Sequence, residues 1–191
     1  MKTEKQKMLA GELYDASDRQ LCEERRKARL LLKALNDSDE DQPEERKRIV
    51  QQLIPNTGGD LWLQPPFYCD YGTNIFTGQE VFFNFNCVVL DVARVTIGSR
   101  TMFGPNVQIY AATHPMDHTI RASGLELGKP ISIGDDVWVG GSAVICPGVT
   151  IGSRTVIGAG SVVTRDIPSD VFAAGNPCGV IRDLREKGMV T

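Results

Sequence analysis

The chain has 191 residues, 41% of them hydrophobic and 24% charged, with a formal net charge of −3; these values suit one soluble domain with a sizeable core, or a core domain with a small appendage. No basic stripe marks a nucleic-acid binder, no apolar run approaches the roughly 18–20 residues of a membrane span, and Met1-Lys2-Thr3-Glu4-Lys5 has no apolar stretch behind it to suggest a secretory signal. Five scattered cysteines (Cys22, Cys69, Cys87, Cys146, Cys178) without a CxxC pair predict free thiols in a reducing cytoplasm, with neither a disulfide framework nor a zinc site.

Residues 1–60 read as a helical region. Leu21, Leu30, Leu31, Leu32 and Leu35 recur among Glu, Arg and Lys at spacings that give one apolar face. Ser17 or Asp18 can cap the start of this helix, and Asn36-Asp37-Ser38-Asp39 ends it in a turn. A second helix is predicted from Pro43, with Pro at the first helical position, through Ile49, Val50, Leu53 and Ile54. The dense charge on both is read as a solvated face, and the region as a cap over one end or side of the longer C-terminal region.

Residues 61–191 obey another rule, clearest from about residue 66. Apolar anchors sit six apart and a small or turn-forming residue often comes next: Ile133-Gly134, Val139-Gly140, Ile145-Cys146, Ile151-Gly152, Ile157-Gly158 and Val163-Thr164. Ile97-Gly98, Phe103-Gly104 and Ile109 form an earlier run, and Ile75, Val81 and Cys87 a looser one. Six residues make one short strand and a corner. Three such units close a triangular coil, and coils stack about 4.8 Å apart by backbone pairing. The expected fold is therefore mainly β, a parallel β-helix of roughly five coils over residues 66–168. The glycines after the anchors, with Asn106, are read as turn residues with unusual backbone angles.

The repeat breaks once, over residues 114–131, in a loop that shows no strong regular pattern. A loop of that length in a compact domain is more often functional than decorative. His114 stands where the last strand unit gives way to it, an imidazole on a rigid element beside a flexible wall. Histidine is the usual side chain for accepting a proton from a hydroxyl near neutral pH. Taken alone, the residues leave His114 equally an anchor that hydrogen-bonds the loop. His118, inside the loop, is read as a surface residue.

Several segments resemble the maltose and galactoside O-acetyltransferases, nodulation-type acetyltransferases included. They are Met8-Leu9-Ala10-Gly11-Glu12-Leu13-Tyr14-Asp15, the run Pro65-Pro66-Phe67-Tyr68-Cys69-Asp70-Tyr71-Gly72, Phe83-Asn84-Phe85-Asn86-Cys87, Thr113-His114-Pro115, Ile133-Gly134-Asp135-Asp136-Val137-Trp138-Val139-Gly140-Gly141, and Ala173-Ala174-Gly175-Asn176-Pro177-Cys178. The resemblance implies left-handed winding of the β-helix, against the usual crossover rule, and a homotrimer with active sites between subunits. It implies acetyl-CoA as donor and a sugar hydroxyl as acceptor, typically the 6-OH. His114 corresponds to the general base, and attack on the thioester is direct, in a ternary complex; no GxSxG elbow or Cys–His pair competes for the role.

The same resemblance assigns Asp15, Asp70, Asn84, Asp91 and Trp138 to the acceptor site, with the register near Asp91 open by one residue. Gly141, Ala159, Thr164, Arg165 and Arg182 correspond to the CoA track, where small residues admit the pantetheine arm and arginine pairs with phosphate. Gly141 can contribute only backbone, and Gly179 stands where some members have arginine, leaving the 3′-phosphate to Arg182, Arg185 or Lys187. Other readings stay open: a nodulation-type oligosaccharide, serine or an antibiotic as acceptor, and, ranked last, a non-enzymatic β-helix scaffold. A γ-class carbonic anhydrase, on the same scaffold, needs three histidines, and this chain has two.

Overall fold

A computed structural model describes residues 1–185. Among them no helix is long and apolar enough to cross a membrane. The N-terminal region holds α1 (Glu4–Leu9), the short strand β1 (Tyr14–Asp15), α2 (Arg19–Asn36) and α3 (Pro43–Leu53). Asp18, not Ser17, caps α2, its carboxylate accepting the N–H groups of Gln20 and Leu21 at 3.0 and 3.2 Å. Leu21, Ala28, Leu32 and Leu35 form the buried stripe of α2, whereas Leu30 points to solvent. α3 starts at Pro43 and buries Ile49, Val50 and Leu53. Asn36 pins the end of α2 to the next region: its Oδ1 accepts from Phe67 N at 2.9 Å and its Nδ2 donates to Phe67 O at 3.0 Å.

The remainder is a three-sided coil. Its first face stacks β2 (Asn56–Thr57), β5 (Ile75–Thr77), β8 (Val95–Ile97), β13 (Ile131–Ile133) and β16 (Thr150–Ile151). The second stacks β3 (Leu61–Leu63), β6 (Val81–Phe83), β9 (Met102–Phe103), β14 (Trp138–Val139), β17 (Val156–Ile157) and β19 (Val171–Ala174), closed by the antiparallel strand β20 (Gly179–Asp183). The third stacks β4 (Phe67–Cys69), β7 (Cys87–Leu90), β10 (Gln108–Tyr110), β15 (Val144–Ile145) and β18 (Val162–Val163). Apart from β20, all neighbours in these three faces are parallel and in register, for example Ser132 with Thr96 and Thr150. The first coil opens at Asn56, ten residues before the six-residue grammar becomes readable, because in β2 a polar Thr57 precedes Gly58 and in β3 Leu63 is followed by Gln64.

Anchors from successive coils stack inside the prism. Phe67, Phe83 and Phe103 form an aromatic column, with the rings of Phe83 and Phe103 stacked at 4.2 Å and Phe67 set edge-on to Phe83 at 5.5 Å. The buried stripes of α2 and α3 join the same core through Leu35, Leu53 and Ile54 against Leu63 and Phe67, so the helices cap the first coil.

The glycines after the anchors do a different job from the one their type suggests. Left-handed backbone angles fall two residues later, on Arg100, Asn106, Asp136, Ser142, Arg154 and Gly160. The glycines instead sit where the adjacent coil is too close for a side chain. A Cβ on Gly140 would lie 2.5 Å from Ala159 N, and one on Gly104 would lie 2.6 Å from Gly141 N. Of the residues read as turn formers, Asn106 has the predicted angle, at φ 62°.

The loop over residues 114–131 is also more ordered than its sequence suggests. It contains the one-turn helix α4 (His118–Ala122), capped by Asp117, and the strand β12 (Leu125–Gly128). β12 folds back antiparallel on β11 (Ala112–Thr113) and, on its other edge, pairs with β1 from the N-terminus. β12 is only four residues long, Leu125-Glu126-Leu127-Gly128, too short for its alternation to stand out, which is why the loop reads as irregular.

Candidate active site at a widened corner

In the early coils the six-residue spacing holds at two corners and fails at the third. Between the third and first faces, inward residues in the early coils are eight apart, Cys69 to Thr77 and Val89 to Ile97. In the later coil Ile145 and Ile151 keep the spacing of six. The two extra residues widen this corner at 70–74 and 90–94, and the hairpin after Ile109 leaves from the same edge.

A widened corner exposes backbone N–H groups that no strand pairs. Asp91 satisfies them. Its Oδ1 accepts from the N–H of Asp70 at 3.0 Å and of Tyr71 at 2.9 Å, its Oδ2 accepts from Asn74 N at 3.2 Å, and Asn74 Nδ2 donates back to Asp91 O at 2.8 Å. Asp91 is 0% exposed. Burial pushes its carboxyl up to about 6, against the opposing pull of the backbone N–H groups. The assignment of Asp91 to the acceptor site is therefore corrected: its carboxylate is spent on the turn and has no surface to offer a sugar.

Above this corner lies a cavity of about 350 Å³ lined by Tyr14, Ala16, Arg25, Arg29, Asp70, Tyr71, Leu90, Val92, Ala112, His114 and Glu126. His114 comes directly after β11 and is exposed, and its side chain makes no hydrogen bond or ion pair with another described residue. Asp70 is largely buried, its side chain 17% exposed, with Arg29 Nη2 at 3.6 Å. Burial raises its pKa above the usual carboxylate value, and Arg29 and Arg25 oppose the rise. Arg25 crosses from α2 to donate to Tyr71 Oη at 2.7 Å and Ala16 O at 2.5 Å. Tyr71 is pushed up to about 12 by burial, partly offset by that arginine.

His114 and Asp70 thus come together in one cavity; the other sequence candidates do not. Asp15 lies outside it, exposed, its Oδ1 accepting from the N–H and hydroxyl of Ser17 at 2.8 and 2.7 Å, which hold its pKa down. Asn84 stands at the corner between the second and third faces, its Oδ1 accepting from Phe85 N at 2.7 Å. Gly141 and Ala159 stack along that same corner, where Gly160 N donates to Gly141 O at 2.9 Å. Trp138 is 53% exposed on the outer side of β14. Thr164 and Arg165 are exposed just past β18, on the His114 side of the third face. Arg182, on β20, lies 5.8 Å over the Phe172 ring, and Lys187 falls outside the described residues. Within one chain, then, the His114 corner and the Asn84–Gly141–Ala159 corner flank opposite edges of the third face.

Sequence reasoning missed Tyr14, Arg25, Arg29, Tyr71 and Glu126. Tyr14 and Tyr71 lie inside quoted motifs, but nothing local marks them as cavity residues, and the arginines look like any solvated helix face. Among the described residues no group of three or more His, Cys, Asp or Glu is arranged to hold a metal.

A parallel hexapeptide β-helix with a histidine at an extruded hairpin defines the class, a hexapeptide-repeat acyltransferase. Residues 7–58 match the maltose acetyltransferase hexapeptide capping motif, and residues 130–165 match the bacterial transferase hexapeptide (six repeats). A maltose O-acetyltransferase from Clostridium difficile 630 is 47% identical, over 97% of this chain and 99% of that one, with a TM-score of 0.93. A galactoside acetyltransferase in complex with coenzyme A is 38% identical, over 100% and 96% of the two chains, with a TM-score of 0.95. Nodulation protein L from Rhizobium meliloti (strain 1021) is 48% identical, over 94% of this chain and 98% of its own length. The chain belongs to the maltose and galactoside O-acetyltransferase family of acetyl-CoA-dependent hexapeptide-repeat enzymes.

Proposed function

We propose that this protein transfers the acetyl group of acetyl-CoA to a sugar hydroxyl, of maltose, glucose or galactoside type and at the 6-position, with His114 as general base. The observation that carries the reading is the uncommitted imidazole of His114 at the rim of a polar cavity. In the ternary complex His114 takes the proton of the acceptor hydroxyl as its oxygen bonds to the thioester carbonyl carbon. The carbon–sulfur bond then breaks, and the imidazolium proton leaves with the CoA thiolate as free thiol. General base catalysis of this kind contributes about 10²–10⁴ in rate, and alignment of the two substrates supplies much of the remainder.

Asp70 suits a hydroxyl donor, since a largely buried carboxylate with only a distant arginine has acceptor capacity to spare. For acetyl-CoA, the small residues Gly141, half-buried, and Ala159, exposed, leave room along one corner, and the exposed Thr164, Arg165 and Arg182 offer a hydroxyl and two cations. A homotrimer in the cytoplasm completes the reading. The separation of the His114 corner from the Asn84–Gly141–Ala159 corner supports it, because a neighbouring subunit would bring the second corner, with Trp138, against the first. Similarity to a nodulation protein favours an oligosaccharide acceptor as the second reading.

The test is a thiol-release assay with acetyl-CoA across maltose, glucose, galactosides, chitin-type oligosaccharides and serine. Sugar turnover that falls by about 10²–10⁴ in His114→Ala is expected. Undiminished turnover in that variant overturns the proposed base, and inertness toward every sugar overturns the acceptor class.

A further inference from the structure

The three strands of the hairpin sheet share one register. Tyr14 on β1 lies opposite Glu126 on β12, while on the other edge of β12 Thr113 lies opposite Leu127 and Ala112 opposite Gly128. One step further along that second register His114 falls opposite Glu126. Directly opposed residues share a face, with Cβ atoms about 4.5–5.5 Å apart, and Tyr14, Glu126 and His114 all line the one cavity. Glu126 therefore stands between the buried tyrosine and the histidine.

Its two oxygens differ. Oε2 accepts from Tyr14 Oη at 3.0 Å, and Oε1 has no partner among the described residues. Tyr14 is itself 0% exposed, packed with Met8, Leu21, Tyr71 and Val92 in a small core that joins α1, α2 and the widened corner. A phenol so enclosed has little freedom, and it passes that rigidity to the carboxylate it holds. The pairing of β1 with β12 fixes the backbone on which Glu126 sits.

From this placement we infer that Glu126 is a specificity-determining residue of the acceptor site, with Tyr14 as its positioning residue. The free oxygen of Glu126 accepts a hydrogen bond from a second hydroxyl of the acceptor, near the one His114 deprotonates. The substrate class narrows accordingly to polyols with two hydroxyls close together, and simple alcohols are poor acceptors. It also gives the N-terminal region a part in catalysis, since β1 and Tyr14 form one wall of the site. This rests on the proposed sugar acceptor.

The experiment uses the full chain and a series of singly deoxygenated methyl hexosides beside the parent sugar. Wild-type protein should prefer the parent over one member of the series by about 10- to 100-fold in kcat/KM, the effect of losing a hydrogen bond to a charged group. In Glu126→Leu that preference collapses towards one while KM for acetyl-CoA is unchanged; Glu126→Gln, which keeps an acceptor oxygen, retains part of it. Tyr14→Phe raises acceptor KM several-fold, again without moving KM for acetyl-CoA, a split that general destabilisation would not produce. Thermal melting of each variant checks that it is folded. A folded Glu126→Leu that keeps the wild-type ranking, or loses rate equally on every sugar, overturns this inference alone. A wild-type protein inert to all sugars overturns the proposed function and this inference with it.

Discussion

Replacing Asp91 by alanine isolates what holds the widened corner open. The substitution leaves the N–H groups of Tyr71 and Asn74, both buried, without their acceptor, and that of Asp70 half-buried without one. An orphaned buried donor costs about 1–3 kcal/mol, so two of them cost about 2–6 kcal/mol. Removing a carboxylate whose burial is unfavourable at neutral pH returns part of this, which leaves a net loss of about 2–4 kcal/mol at pH 7. For a chain of this size each kcal/mol moves Tm by about 2–4 °C, and a fall of roughly 5–15 °C is expected. The pH dependence comes from the same carboxyl. Its folded pKa of about 6 lies above the ordinary aspartate value of 3.8, so the folded state binds the proton more tightly than the unfolded chain. The stability this contributes is present below about pH 4 and is lost as pH rises through about 6. The stability gap between wild type and Asp91→Ala should therefore widen, by at most about 3 kcal/mol, as pH is lowered from 7 to about 4.5, and the difference in Tm with it. Circular dichroism melts at several pH values measure it. An Asp91→Ala protein that melts within about 2 °C of wild type, or a gap that narrows at low pH, refutes the assignment of Asp91 as the turn's acceptor.

Two further predictions concern the coil and its assembly. Gly140→Ala puts a Cβ 2.5 Å from the backbone of the next coil, whereas Gly160→Ala, at φ 69°, meets nothing within 4 Å. Gly160→Ala should cost about 1–2 kcal/mol, the left-handed penalty alone, and Gly140→Ala clearly more, since backbone cannot rotate aside; equal losses in chemical denaturation would refute the steric account. If His114 and Asn84 meet across a subunit boundary, co-refolding equal amounts of His114→Ala and Asn84→Ala should restore about a quarter of wild-type activity, because about one interface in four pairs two intact residues. No recovery in a mixture shown to form mixed trimers, or an active monomer on sizing chromatography, would refute the shared site.

The features legible in the sequence are those set by covalent neighbourhood. The run from Ile133 to Val163 has a period of six because every strand-and-corner unit solves the same local problem, and the stacked registers of β13 to β18 bear it out. Asp18 and Pro43 likewise mark their helices through contacts within a single turn. The first coil is harder to see, since the polar Thr57 holds the anchor place before Gly58 and Leu63 is followed by Gln64.

The six-residue repeat thus determined the scaffold, and the sequence by itself also marked His114 as the point where the scaffold is interrupted. The tertiary structure decided everything that depends on what lies beside that point. It set the glycines against the next coil's backbone, a relation between residues about one coil apart. It turned Asp91 inward to serve a turn and left Asp70 beside the cavity, although both are aspartates near the same corner. It also brought Tyr14 onto Glu126 across 112 residues of chain. The physical reason is the same in each case. A period of six records how one unit folds on itself, while a cavity is made by side chains that only the stacking of coils and the docking of the N-terminal strand bring into contact.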